Sequence, residues 1–388
     1  MYKRLVLMLM AISFLFMGCQ SKTPVVNSNS AQSNSEQEPP LEIAYTVEPV
    51  AFQENIPLQK REEIIILDAT ESSILFSVYV NNAELGKMKS LPSYTDRICI
   101  YNIADKQTQI IKKFDTNTLC FEGKLLQNMN TVFCTLQRVK GQVTNKFTVY
   151  KKNNNEEKVI DSGFCEPTPT HSPDFVKLDN GEVAYSFVKY ENDSKQNYGI
   201  NKINQDDSLS SILMKKESDI NHFIVTDIVS NGTDILLFHE TNGKGEFVNY
   251  SFKNGMETQF SLPSNKKVMS YCLLEASALF CFQNDDGANE LFIKPLNSNE
   301  YIRFKRKDYF QLYTNNMDTA LAIGPSFGVE IIKYEDTQKR LDTKKVKIPL
   351  EIDPTQVLKG AIVRIIPIDH QSFFLFFEDA GILLKLVL

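Results

Sequence analysis

The 388-residue sequence contains no Trp and only four His, at positions 171, 222, 239 and 370. The missing Trp excludes repeat types whose signature needs that residue, the Trp-Asp dipeptide among them. It also counts against a glycan-binding face built on Trp stacking. No His stands at metal-ligand spacing from a Cys or another His, so no metal site is expected. His239 sits in an apolar run and reads as a hydrogen-bonded core residue. There is no Gly-x-Ser-x-Gly nucleophile turn and no Gly-rich phosphate loop. The sialidase box, Ser-x-Asp-x-Gly with a following aromatic, is missing too. The oxygen-rich stretch 284–290 lacks the closing Glu of a twelve-residue calcium loop and reads as a hairpin turn. No run of twelve or more residues has helical period. That absence disfavours the substrate-binding lipoproteins of transporters, which alternate strands and helices. No cofactor is implied.

Charge is also scarce in one direction. The net charge is −6, and loss of Lys3 and Arg4 with residues 1–18 takes it to −8. Nucleic-acid binding needs clustered Lys and Arg, so that class of partner is excluded.

What is present begins at the amino terminus. Lys3 and Arg4 precede an apolar run, Leu5 to Met17, broken only by Ser13 and closed by Gly18 and Cys19. A basic start, a short apolar stretch and a small residue at the cut site describe a secretory signal. Thirteen helical residues rise about 20 Å, short of a ~30 Å hydrocarbon core. The segment Leu15-Phe16-Met17-Gly18-Cys19 resembles the lipobox of bacterial lipoproteins. That resemblance implies cleavage after Gly18 and a diacylglycerol on Cys19, which would anchor the chain in a membrane. It also implies a location on the extracytoplasmic side. Residues 20–40 are Ser, Asn, Gln and Pro with little that is apolar. Such a stretch cannot bury enough surface to fold and reads as a disordered spacer. The expected division is therefore signal peptide 1–18, lipidated Cys19 and spacer 19–41, and folded domain 42–388.

Six further Cys follow, at 99, 120, 134, 165, 272 and 281. In an exported protein an even count permits disulfides. A two-residue turn at Ala276-Ser277 would set Cys272 opposite Cys281. A turn around Gln127 would do the same for Cys120 and Cys134. Facing Cys at a non-hydrogen-bonded pair are within bonding reach. The other reading is six buried free thiols.

From Glu62 onward, short strands alternate with tight turns. Runs such as 63–67, 74–80, 97–103, 146–152 and 183–190 are rich in Ile, Val, Phe and Tyr. Asn-Gly and Asp-Gly turns, at 180–181 and 286–287 for example, supply the positive φ of hairpins. One apolar strand recurs, beginning at Ile74, Val132, Val183, Ile235, Ala278, Ala320 and Phe373. Length alone would suggest two domains. Seven units of four strands instead predict an all-β domain, a seven-bladed β-propeller. The last unit has three strands and then the chain ends, while 42–52 reads as a strand before the first unit. The two answer each other: the N-terminal strand is expected to close the ring. Tandem β-sandwiches, or a ring of six or eight blades, are the alternatives. The pattern resembles bacterial β-propeller lipoproteins.

In a propeller, connections between blades and those between second and third strands emerge at one end. The long irregular segments 81–96, 165–174, 191–197 and 351–360 fall in those classes, and loops of that kind carry binding. The candidate binding face is Tyr94, Asp96, Arg97, His171, Asp174, Tyr190 and Asp193. With no catalytic constellation in view, the expected function is a non-catalytic binding or scaffolding module for an envelope protein or peptide. The alternative is a propeller hydrolase or lyase acting on extracellular glycans, whose site would gather two carboxylates.

Overall fold

A computed structural model describes residues 43–82, 93–138, 144–153, 156–165, 173–192, 195–217, 224–241, 244–263, 266–298, 300–306, 309–314, 318–324, 328–335, 339–348 and 363–388. The signal peptide, Cys19, the spacer, His171 and Asp193 lie outside these residues.

The strands fall into seven antiparallel four-stranded sheets, in chain order around a ring. The first strand, β1 (Thr46–Val50), precedes blade 1 in the chain. Blade 1 is β2 (Glu62–Ala69), β3 (Ser73–Val80), β4 (Tyr94–Asn102) and β5 (Gln107–Lys113). Blade 2 is β6 (Thr118–Leu125), β7 (Thr131–Arg138), β8 (Asn145–Asn153) and β9 (Glu156–Cys165). Blade 3 is β10 (Phe175–Lys177), β11 (Val183–Asn192), β12 (Lys195–Ile203) and β13 (Leu209–Glu217). Blade 4 is β14 (Ile224–Ser230), β15 (Asp234–Thr241), β16 (Lys244–Ser251) and β17 (Glu257–Ser261). Blade 5 is β18 (Lys267–Leu273), β19 (Ser277–Gln283), β20 (Asn289–Pro295) and β21 (Ile302–Arg306). Blade 6 is β22 (Gln311–Thr314), β23 (Thr319–Ile323), β24 (Val329–Glu335) and β25 (Arg340–Lys345). Blade 7 is β26 (Val363–Pro367), β27 (Ser372–Phe377) and β28 (Ile382–Val387), completed by β1.

The ring closes as its two unfinished ends require. Strand β1 lies antiparallel to β28, with Thr46 opposite Val387 and Val50 opposite Leu383. The alternatives of two sandwiches or another blade count are excluded by these pairings.

The core is divided among the blade interfaces. Side chains alternate across a strand, so each blade presents one apolar face to each neighbour. Ile64, Phe76 and Cys99 pack on Phe374 and Phe376 between blades 1 and 7. Leu75 and Ile100 pack on Cys120 and Phe133 between blades 1 and 2. Second strands are covered on both faces and paired on both edges. The centres of their sequences are therefore apolar runs, and all six residues of β27 (SFFLFF) are buried. This is why the second strand was the visible repeat: each expected start lies within one residue of an observed one.

Opposite the long loops, the ring is stitched together. Asp179 N–H donates to the Gly232 carbonyl at 3.1 Å, and Asn231 Nδ2 donates to the Leu274 carbonyl at 3.0 Å. Gly232 has φ +93°, and a Cβ there would collide with the Asp179 carboxyl. Asp68, only 3 % exposed, accepts from Leu125 N–H at 2.7 Å and pairs with Lys177 at 2.9 Å. The first two contacts join the short first-to-second connections of blades 3, 4 and 5, and Asp68 ties together the ends of the inner strands of blades 1, 2 and 3.

Neither Cys pair is joined; all six thiols are free and buried. Cys272 faces Leu279, and Cys281 faces Ser270. The tight turn sits one residue earlier than expected, at Glu275-Ala276, with Leu274 N–H donating to the Ser277 carbonyl at 2.8 Å and Leu273 opposite Ala278, so the two Cys are diagonal neighbours. Diagonal positions stand about 7–8 Å apart, beyond disulfide reach. For Cys120 and Cys134 the obstacle is the face. Cys120 points toward blade 1 and Cys134 toward blade 3. A register shift between Leu119 and Glu122 puts Glu122 opposite Cys134. Burial pushes the thiols of Cys99, Cys120, Cys134 and Cys272 up, that of Cys99 to about 11, so these are packing groups and poor nucleophiles.

The stretch 191–197 is not a long loop. Strand β11 runs to Asn192 and β12 starts at Lys195, with Tyr190 opposite Gln196. The residues of this stretch are mostly polar, and Gln196 is a buried polar side chain. The run 191–197 thus has no apolar alternation, and in sequence a loop and a strand look alike there.

Candidate functional site

Three of the seven expected face residues come together in one depression. Tyr94, Asp96 and Arg97 lie on β4, already inside the strand and not on the preceding loop. They line a hollow of about 440 Å³ with Pro57, Gln59, Lys60, Glu62, Val80, Ile110 and Lys113. Pro57, Gln59 and Lys60 belong to the segment that carries the chain from β1 in blade 7 to β2 in blade 1. The depression thus sits at the loop-bearing end, where the ring closes. Asp174 and Tyr190 lie two blades away, at the start of blade 3 and the end of its second strand.

Arg97 is the centre of the hollow. Its Nη1 donates to Glu62 Oε1 at 2.8 Å and to Asp96 Oδ2 at 2.7 Å. Its Nη2 donates to Glu62 Oε2 at 3.1 Å and reaches the Pro57 carbonyl at 3.5 Å. Glu62 Oε2 also accepts from Gln59 N–H at 2.8 Å. The paired, forked geometry is the strong form of a guanidinium–carboxylate contact. Hydrogen bonding from Arg97, opposed by burial and helped by Gln59, holds the Glu62 carboxyl below the usual range. The Glu62 hydrogen bond, outweighing burial, raises the Arg97 pKa, so the guanidinium is always charged. One guanidinium therefore binds two carboxylates and pins the crossing segment to the blade.

A general acid needs a carboxyl whose pKa is raised. Glu62 is moved the other way, and Asp96 is bound to the same cation. Among the described residues, no three His, Cys, Asp or Glu side chains are grouped to hold a metal ion.

Lys60, Glu62 and Lys113 escaped the sequence reading. Glu62 is the first residue of an apolar strand, and Lys113 ends an outer strand 53 residues from Lys60 in a chain with 42 Lys and Arg. The one available signal was the charged run 60–63 at the start of blade 1.

His239 behaves as a core residue. It is 4 % exposed on β15, with Nε2 3.1 Å from Lys215 Nζ and 3.5 Å from Glu246 Oε2. Burial first, then Lys215, lower its pKa to about 4 against the opposing pull of Glu246. Folded, the ring takes a proton only near pH 4; unfolded, it does so near 6.5. Between those values the unfolded chain binds more protons, so stability is full above pH 6.5 and falls as pH drops toward 4. The expected loss from this residue is about 2–3 kcal/mol. Urea titrations of the wild type and His239→Gln across that range should diverge by this slope. Parallel curves would show that His239 does not carry the loss.

Fold and site together define a seven-bladed β-propeller closed by its N-terminal strand, with an ion-paired hollow at the closure. Two solved oligogalacturonate lyases are similar to it in fold. One, in complex with manganese, is 8 % identical with a TM-score of 0.52, over 89 % of this chain and 97 % of that one. The other, from Vibrio parahaemolyticus, is 9 % identical with a TM-score of 0.51, over 89 % and 97 %. The tricorn protease is 10 % identical with a TM-score of 0.43; the match covers 75 % of this chain but 35 % of that one. At such identities the likeness is one of fold. No protein-family model matches the chain, and no curated protein matches it.

Proposed function

We propose that the chain is a membrane-anchored, extracytoplasmic lipoprotein whose propeller is a non-catalytic binding or scaffolding module for an envelope protein or peptide. Cys19 is the lipidated residue, and residues 20–41 are the spacer. The chain enters the ring through β1, the outermost strand of blade 7. The observation that carries the binding reading is the Arg97 cluster: Glu62 and Asp96, the carboxylates of the hollow, are both engaged by one guanidinium. Held on that cation, they shape a surface.

Two measurements on the full chain expressed in a bacterium test this. Mass spectrometry of the mature N-terminus should find diacylglycerol on Cys19; an unmodified Cys19, or cleavage elsewhere, removes the anchor. Cross-linking in intact cells should join the propeller reproducibly to one envelope protein. Turnover of a glycan that disappears in Glu62→Gln or Asp96→Asn would overturn the non-catalytic reading in favour of a propeller hydrolase or lyase.

A further inference from the structure

We infer that the hollow on blade 1 binds an acidic, extended peptide segment, with Lys60 and Lys113 as its two anchors. The inference rests on reading this end of the propeller as a binding surface, and it names what that surface recognises.

Most partly buried lysines of this protein have an acid beside them. Lys112 pairs with Glu157, Lys151 with Asp207, Lys177 with Asp68, Lys202 with Glu182 and Lys266 with Glu290. Unlike these, Lys60 and Lys113 are exposed; they line the same hollow as two carboxylates, and neither is ion-paired to them. The reason is local: Glu62 and Asp96 are turned onto Arg97. The trio leaves a net charge of −1, and the two lysines make the hollow positive on a chain of net charge −6. A local field opposite in sign to the rest of the protein favours an anionic ligand over a neutral one.

The wall between the anchors selects the kind of anion. It consists of Pro57, Val80 and Ile110, with Tyr94 as its one aromatic ring. Ile110 is 47 % exposed, a large apolar surface to leave in water. Aliphatic walls suit aliphatic side chains, whereas sugar rings are better held by aromatic faces. The carboxylates that would grip sugar hydroxyls are already occupied by Arg97.

The geometry sets a spacing. Lys60 stands two residues before Glu62 on the inner strand of blade 1, and Lys113 ends its outer strand. Inner and outer strands are three spacings apart, roughly 14 Å. In an extended peptide, side chains at i, i+2 and i+4 share one face, and i to i+4 spans about 13 Å. The ligand would carry acids at i and i+4 and an aliphatic residue at i+2. Its volume suits the site, because 440 Å³ lies within the range of about 300–1,000 Å³ common for ligand pockets.

The probe is the peptide Thr-Glu-Thr-Val-Thr-Glu-Thr with a fluorophore, titrated with the full chain in detergent and read by anisotropy. Binding should weaken at least tenfold in Lys60→Ala/Lys113→Ala, and tenfold when both Glu of the peptide become Gln. Lys146→Ala, on an exposed position of blade 2, should leave it unchanged. An unaltered melting curve for each variant shows that the fold is intact. The inference is overturned if the wild type does not bind the peptide, if the double variant binds it as well as the wild type, or if trigalacturonate binds in its place. Cross-linking in cells separates the two levels. An envelope partner still captured by the double variant sinks this site and leaves the binding function standing. Capture by neither form sinks the function itself.

Discussion

Phe52→Ala should lower the stability of the propeller by about 3–5 kcal/mol, read as a shift in the urea midpoint. Phe52 is fully buried in the segment that leaves β1 and crosses to blade 1. Its ring lies 5.6 Å from Phe76, 5.4 Å from Tyr101 and 5.9 Å from Phe376, all in edge-on geometry. It therefore wedges blade 1 and blade 7 at once. The neighbouring backbone is held as well: Tyr101 Oη donates to the Ala51 carbonyl at 3.0 Å and accepts from Asn55 Nδ2 at 3.1 Å. Truncation leaves a cavity and loosens the one strand whose pairing closes the ring. Phe52→Leu keeps most of the volume and should cost less than half as much. A loss below about 1 kcal/mol for Phe52→Ala would show that the crossing segment does not hold the closure.

Asp161→Ala should cost about 3–5 kcal/mol, since it leaves a cation without its partner between blades 2 and 3. Asp161 accepts from Tyr185 Oη at 2.5 Å and from Lys189 Nζ at 2.6 Å. Asn201 Nδ2 donates to the same tyrosine hydroxyl at 3.2 Å. Tyr185 is fully buried, and burial together with the Asp161 charge keeps its hydroxyl protonated. The Lys189 ammonium lies 5.3 Å and 5.5 Å from the Phe147 and Phe187 ring centroids. Those rings offer ~1 kcal/mol between them, far less than the lost carboxylate. Asp161→Ala combined with Lys189→Met removes both charges, so the double variant should regain at least half of the loss. If the double variant is as unstable as the sum of the singles, the pair is not coupled and the account fails.

Both predictions concern interfaces between blades, and such contacts lie beyond periodicity. The residues of β27 announce a strand buried on both sides because no solvent-facing residue interrupts them. The same holds for ILF at 74–76 and LFCF at 279–282, and from their spacing the count of seven followed. Ring closure was also legible, because three strands at the carboxyl end and one extra at the start leave only one economical pairing. What a strand pairs with depends on its own pattern and its turn, both local properties.

Three features were settled only by the tertiary structure. The Cys272–Cys281 register hung on a tight turn that sits one residue earlier than expected, and Cys120 and Cys134 proved to face different blades. Side-chain direction near a bulge depends on the exact residue count, which hydrophobic pattern does not resolve. The hollow is the third case. Tyr94, Asp96 and Arg97 were in view from the sequence, but Glu62, Lys60 and Lys113 join them only because β2, β4 and β5 share a sheet and the closing segment folds over its end. A strand's character is written in its neighbours along the chain. The charge balance of a site is written in its neighbours in space, and here ring closure brings them together.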